Sequence, residues 1–407
     1  MPRTLLTTAL ALAFALPAHA ANLSDLLRDA LAYDAQYAAA RAAFEAGKER
    51  VPQARSGLLP SVSANAGVRR SWLESTLPGG DQTYTTKTAG VSASQPLYRA
   101  PNFIQYDQAR LQVEVAGMQF AQAEQDLILR VARAYFDVLQ ANDNLAFIAA
   151  QKAAIAEQLA SAKRNFEVGT STITDTHEAQ ARFDLASAQE IAEQNQFAVR
   201  VRALEKLVGK PIDQLAGLAE RAELKRSEGT LDDWAQRAAD TNLPAMIARL
   251  TERIAELDIA RNRADHQPTL DAVASYNLTY GQNFGQVQVD TRNTAVGLEL
   301  NIPLYRGGLT NSRVREAAAN RERARQDAAN AAREAGLVAR QSYLNVASGL
   351  AQVRALEQAL VSSQAQLDST QLGLSVGVRT SLDVLNAQQQ VLSAKRDLAA
   401  ARYNTLV

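Results

Sequence analysis

The chain has 407 residues, 43 Lys+Arg against 43 Asp+Glu, three histidines and no cysteine, and its 47% hydrophobic residues include only 6% aromatics. Absence of cysteine excludes a disulfide framework, thiolate metal sites and a cysteine nucleophile, and the balanced charge supplies no general field for attracting nucleic acid. An alanine-rich apolar fraction suits long helices packed side by side better than one thick core.

Residues 1–20 read as a signal peptide, with Arg3 as the positive region, Leu5 to Leu16 as the apolar stretch and Ala18-His19-Ala20 as the cleavage site. The mature chain is expected to begin at Ala21. No later run of 18 apolar residues exists, so entry into a membrane must use β-structure. Two halves then repeat at an offset near 208: Pro60 matches Pro268, Tyr135 matches Tyr343, Gly169 matches Gly377 and Asp175 matches Asp383. A period this long indicates a duplicated domain-sized unit, not a solenoid. The expected repeats are 21–209 and 234–407, joined by a linker at 210–233.

In the first repeat a helix precedes a β-hairpin at about 61–96. Val62, Ala64, Ala66 and Val68 alternate with small polar residues, as do Ala89, Val91 and Ala93, with a turn-rich connection around Pro78-Gly79-Gly80. No proline falls between Pro101 and Pro211, which leaves room for a helix from Phe103 to Phe166 about 95 Å long. Leu127, Val131, Ala134, Val138, Ala141, Leu145, Ile148, Lys152, Ile155, Leu159, Ala162 and Phe166 alternate steps of four and three, a coiled-coil pattern. A turn at 169–174 breaks that helix, Asp175 or Thr174 can cap the returning one, and Gly209 and Pro211 stop it.

The second repeat has its hairpin at about 269–303, where Leu270 to Tyr280 and Val296 to Ile302 alternate around a polar connection expected at Gly281 to Asp290. Its long helix carries a narrower stripe, Ala339, Val346, Val353, Leu360, Leu367 and Leu374, which fits a partly wet surface, and it turns at 377–381. Alternation alone fits a soluble two-sided sheet or a membrane sheet. The export signal, aromatics at strand ends and the very small polar-face residues favour the membrane. Four strands cannot close a barrel, and an open edge cannot sit in lipid, so several chains must share one barrel.

The Gln95-Pro96-Leu97-Tyr98 and Ile302-Pro303-Leu304-Tyr305 corners, with Pro96, Tyr98, Pro303 and Tyr305 at the strand-to-helix joints, and the turn Ser375 to Leu385 resemble the TolC family of outer-membrane efflux and secretion channels over essentially the whole mature chain. The resemblance implies a mainly α fold with membrane β: a homotrimer sharing a 12-stranded barrel in outer-membrane lipid, with a long α-helical barrel in the periplasm of a Gram-negative bacterium. It also implies a periplasmic adaptor and an inner-membrane pump or ABC exporter as partners, with no cofactor and no nucleic acid. By the same resemblance Asp383 lines the periplasmic aperture, with Asn386 where relatives often carry a second aspartate, so a strong cation preference is in doubt. Arg379 and Asp175, with Thr174 beside them, form the closed-state latch, and Leu374 stands where relatives can have a tyrosine. Helix capping is the simpler role for Asp175 and Asp383, and a carboxylate can serve both. Relatives usually continue past a segment like Ala401 to Asn404, so the belt around Lys210 to Asp233 is expected to be incompletely packed or the sequence truncated.

An enzyme is disfavoured: His177 and His266 are the only mature histidines, and no phosphate loop or HExxH occurs. The stronger alternative is an exported periplasmic coiled-coil adaptor or structural protein, which the helices fit equally well. The paired hairpins with Pro-Leu-Tyr exits favour the channel.

Overall fold

The computed structural model describes residues 21–74, 80–217, 228–284 and 287–407. The expected signal peptide, Pro78 and Gly79 of the first hairpin connection, and part of the 210–233 linker lie outside these residues. In chain order the elements are α1 (Leu23–Tyr33), α2 (Ala35–Lys48), α3 (Arg50–Ser56), β1 (Ser61–Leu73), β2 (Gln82–Tyr98), α4 (Ala100–Glu167), α5 (Ile173–Val208), α6 (Leu231–Thr241), α7 (Leu243–Ala264), β3 (Thr269–Phe284), β4 (Val287–Asn301), α8 (Leu309–Ser375) and α9 (Ser381–Leu406). Each half thus runs through short helices, a hairpin, a helix of more than 65 residues and a returning helix, which is the internal duplication. Among the described residues no helix is long and apolar enough to cross a membrane.

The chain divides into two compact units. One comprises Ala39–Ala123 and Leu231–Arg340 and contains a four-stranded antiparallel sheet, in the order β1-β2-β3-β4. Its register sorts side chains by face. Val62, Ala93, Ala274 and Val296 form one row across all four strands, and Ala64, Val91 and Tyr276 another, all on one apolar face. The opposite face carries the row Ser63, Ser92, Ser275 and the row Asn65, Gly90, Asn277, Asn293. Gly90 is buried because the flanking amides lean over its bare Cα: a Cβ there would sit 2.3 Å from Asn277 Oδ1 and 3.0 Å from Asn65 Oδ1.

The second hairpin departs from expectation. Gly281 to Asp290 is not a loop: β3 continues to Phe284 and β4 starts at Val287, with Gln282 opposite Val289. A bulge between Thr279 and Gln282 absorbs the change; Gly281 adopts φ 73°, and its N–H donates to Asp290 Oδ1 at 3.0 Å. Beside the sheet, Phe44 of α2 stacks on Phe120 of α4 with centroids 5.6 Å apart, and Gln108 donates to Ile254 O (3.1 Å) and Asp258 Oδ1 (2.8 Å) of α7.

The other unit comprises the described part of 1–38 together with Glu124–Thr230 and Gln341–Val407. Here the α4 heptads pack as a seam: Leu127, Val131, Val138, Ala141, Ile148, Ile155, Leu159 and Ala162 are buried. Lys152, the polar member of that seam, donates to Glu190 Oε2 of α5 at 2.7 Å. Ile155, Ala186 and Leu385 join α4, α5 and α9, while Val353, Leu398 and Ala401 join α8 to α9. On α8 Val353 is buried and its neighbours in the stripe are half-buried or exposed, as a partly wet surface requires. The matched tyrosines both reach the linker: Tyr135 donates to Ala216 O, and Tyr343 to Gly229 O at 3.4 Å.

Candidate functional site

The two helix turns are built alike. Gly169 and Gly377 take φ 78° and 81°, where a side chain would be strained, and Thr170 N–H donates to Asn165 O as Val378 N–H donates to Gly373 O, at 2.8 and 2.9 Å. Each returning helix then opens with a reciprocal capping box, Thr172 with Asp175 and Thr380 with Asp383. The cap of α5 is therefore Thr172, not Thr174 or Asp175: the helix starts at Ile173, Thr174 lies inside its first turn, and Asp175 takes the third position, where its Oδ2 accepts from Thr172 N–H at 3.0 Å.

Asp383 Oδ2 accepts from the Thr380 N–H at 2.9 Å and the Thr380 hydroxyl at 3.0 Å. Those two bonds, with the Arg379 charge nearby, hold its carboxyl below the usual aspartate range, so it is ionised at neutral pH. Arg379, Asp383 and Asn386 line one open pocket of about 390 Å³ together with Gln366, Thr370 and Gln390. Asn386 Oδ1 accepts from Arg182 of α5 at 2.8 Å. Arg182 is a residue the sequence reading missed, because nothing in its own neighbourhood marks it as reaching a helix about 200 residues later. Asp175 and Thr174 do not line this pocket, and Arg379 makes no ion pair with Asp175 within the chain.

The two corners differ. Pro96 lies in β2 opposite Asp271 of β3, and the ladder shifts before Tyr98, whose hydroxyl donates to Gln267 Oε1 at 2.6 Å. Arg99 then grips the buried Asp271 carboxylate with two bonds of 2.8 and 2.7 Å, a pair the sequence reading also missed. Pro303 and Tyr305 occupy a stretch of no regular structure before Gly307 and Gly308, and Leu304 and Tyr305 are 91% and 86% exposed. The cause is position: β2 has β3 beside it, whereas β4 is a sheet edge with no strand to receive the second corner.

Among the described residues no cluster of histidine, cysteine or carboxylate could hold a metal ion. The sequence pattern of the outer membrane efflux protein family matches residues 26–210 and again 234–407. The chain belongs to the outer membrane efflux protein family. Outer membrane protein TolC of Vibrio cholerae is 34% identical over 397 residues, covering 95% of this chain and 89% of that protein. Alkaline protease secretion protein AprF of Pseudomonas aeruginosa is 32% identical, covering 96% and 83%. The Campylobacter jejuni CmeC outer membrane channel superposes with a TM-score of 0.79 at 15% identity, over 94% of this chain and 84% of that one. As an outer membrane efflux protein this chain is a channel-forming exit duct of the outer membrane that extends into the periplasm, and not an enzyme. These relatives favour the duct over the periplasmic adaptor or structural protein.

Proposed function

We propose that three copies of the four-stranded sheet close one barrel in the outer membrane, and that their long helices form a tunnel conducting substrate passively from a periplasmic adaptor and an inner-membrane pump or ABC exporter. The observation that carries the reading is the sheet itself: one apolar face, one face of small polar residues, and two edges, β1 and β4, without strand partners among the described residues. Efflux of small toxic molecules and secretion of protein use the same wall, and selection takes place at the pump.

At the tips, Arg379 and Asp175 act between neighbouring copies, since neither pairs with the other within one chain, and adaptor binding opens the aperture by outcompeting them. The capping of Asp175 leaves its second carboxylate oxygen available for that bond. Particles extracted in detergent are expected to have the mass of three chains; a monomer would overturn the shared barrel. In planar bilayers Arg379→Ser combined with Asp175→Ala is expected to raise conductance, and an unchanged conductance would remove the latch assignment.

A further inference from the structure

The apolar face of the sheet carries three cations that the duct reading leaves without a role. Strand alternation places Arg70 on the face of Val62 to Val68, Lys87 on that of Ala89 to Ala93, and Arg292 on that of Val296 to Leu300. The register gathers them at the end of the sheet away from the helices: Lys87 stands opposite Val68 and Tyr280, Arg70 two register pairs further toward the hairpin tips, and Arg292 two pairs closer to the helices, opposite Leu278. All three are exposed, and none has an ion-pair partner among the described residues. Aromatics accompany them on the same face: the Arg70 guanidinium lies 5.6 Å from the Trp72 ring centroid, and Tyr280 is the cross-strand neighbour of Lys87. Asp290 of β4 is turned to the Gly281 N–H, while Glu74 and Asp81 adjoin the strand ends beyond Leu73 and before Gln82.

Cations on a lipid-facing surface are costly at the bilayer centre but favourable at the headgroup level, where tryptophan and tyrosine also collect. The hairpin tips are the extracellular end of the barrel, where the outer leaflet consists of phosphorylated glycolipid. We propose that Arg70, Lys87 and Arg292 form a docking site for the phosphates of lipid A, with Trp72 and Tyr280 at the glycolipid's sugar–acyl boundary. The inference rests on the outer-membrane barrel reading and adds its lipid partner. Three chains would carry three such sites.

The test titrates purified full-length protein in zwitterionic detergent with bisphosphorylated lipid A and counts retained lipid by native mass spectrometry, with phosphatidylglycerol as the competing anionic probe. A cation at a charged membrane surface contributes roughly a five-fold factor in affinity. Lys87→Gln alone should weaken retention about that much, and Arg70→Gln, Lys87→Gln and Arg292→Gln together by roughly a hundred-fold. Arg69→Gln, on the opposite face of β1, should change nothing. Retention by the triple variant equal to wild type, an Arg69→Gln loss matching it, or equal affinity for phosphatidylglycerol would each overturn the site. Conductance of the same wild-type protein in planar bilayers reads the barrel separately: no channel there would overturn the barrel reading instead.

Discussion

Asp34, the cap between α1 and α2, is a buried carboxylate held by two bonds from Arg130 of α4, at 2.9 and 3.0 Å, and by the Tyr37 N–H at 2.8 Å. The Arg130 bonds, more than the backbone bonds, keep its carboxyl below the ordinary aspartate range against the opposing effect of burial. A carboxyl depressed in the folded state stabilises fully above the unfolded value near 4, and that contribution disappears as pH falls through the lower folded value. Arg130→Ala is therefore expected to cost about 2 to 3 kcal/mol at neutral pH, because it strands a buried charge. The difference between variant and wild type should shrink in thermal melts as pH falls from about 4 through the lower folded value, where the wild-type carboxyl protonates too. A gap that stays constant down to pH 2 would mean that the pair does not carry the stability.

At the scale of elements, each turn leaves open space beside its positive-φ glycine, Gly169 or Gly377, so the capping box supplies the local order there. Thr380→Ala is expected to cost about 1 kcal/mol. Hydrogen exchange should quicken at the amides of Ser381 to Asp383 and stay unchanged in the Thr172 turn; equal quickening in both turns would place the effect elsewhere. Periodicity made the long elements legible, because a heptad sustained from Leu127 to Phe166 and alternation in four strands each have one geometric solution. Residues that end elements were less legible. Thr172 and Thr174 are both capping types, and the spacing that separates them is Thr172 to Asp175, the reciprocal pair of a capping box, where Thr174 meets only His177. Gly281 to Asp290 is glycine- and amide-rich and reads as a loop, yet pairing across the bulge overrides the composition. The Arg182 to Asn386 and Arg99 to Asp271 bonds join residues far apart in the chain, and single charged residues on long polar faces give no local sign of their partners.

For the whole molecule, duplication supplies a register for the seam between chains. If β4 meets the β1 of the next copy as β2 meets β3, the Val91 to Tyr276 pair translates into Leu298 against Val68. The protein has no cysteine, so Leu298→Cys with Val68→Cys would introduce the only thiols. Oxidation is expected to link chains covalently into trimers, seen on denaturing gels, whereas Leu298→Cys with Ala66→Cys should link poorly; the reverse result would put the seam two residue pairs away. The shared turn architecture also hides an inequality. Under the proposed latch, the second turn presents Arg379 where the first presents Ser171, so three copies would expose six tips but only three bolts. An aperture secured in that proposed way, by three separate fastenings, would be released one at a time. Assemblies mixed from wild-type and Arg379→Ser chains should then show four discrete conductance levels in single-channel records, and a single jump from shut to open would mean that the bolts move as one.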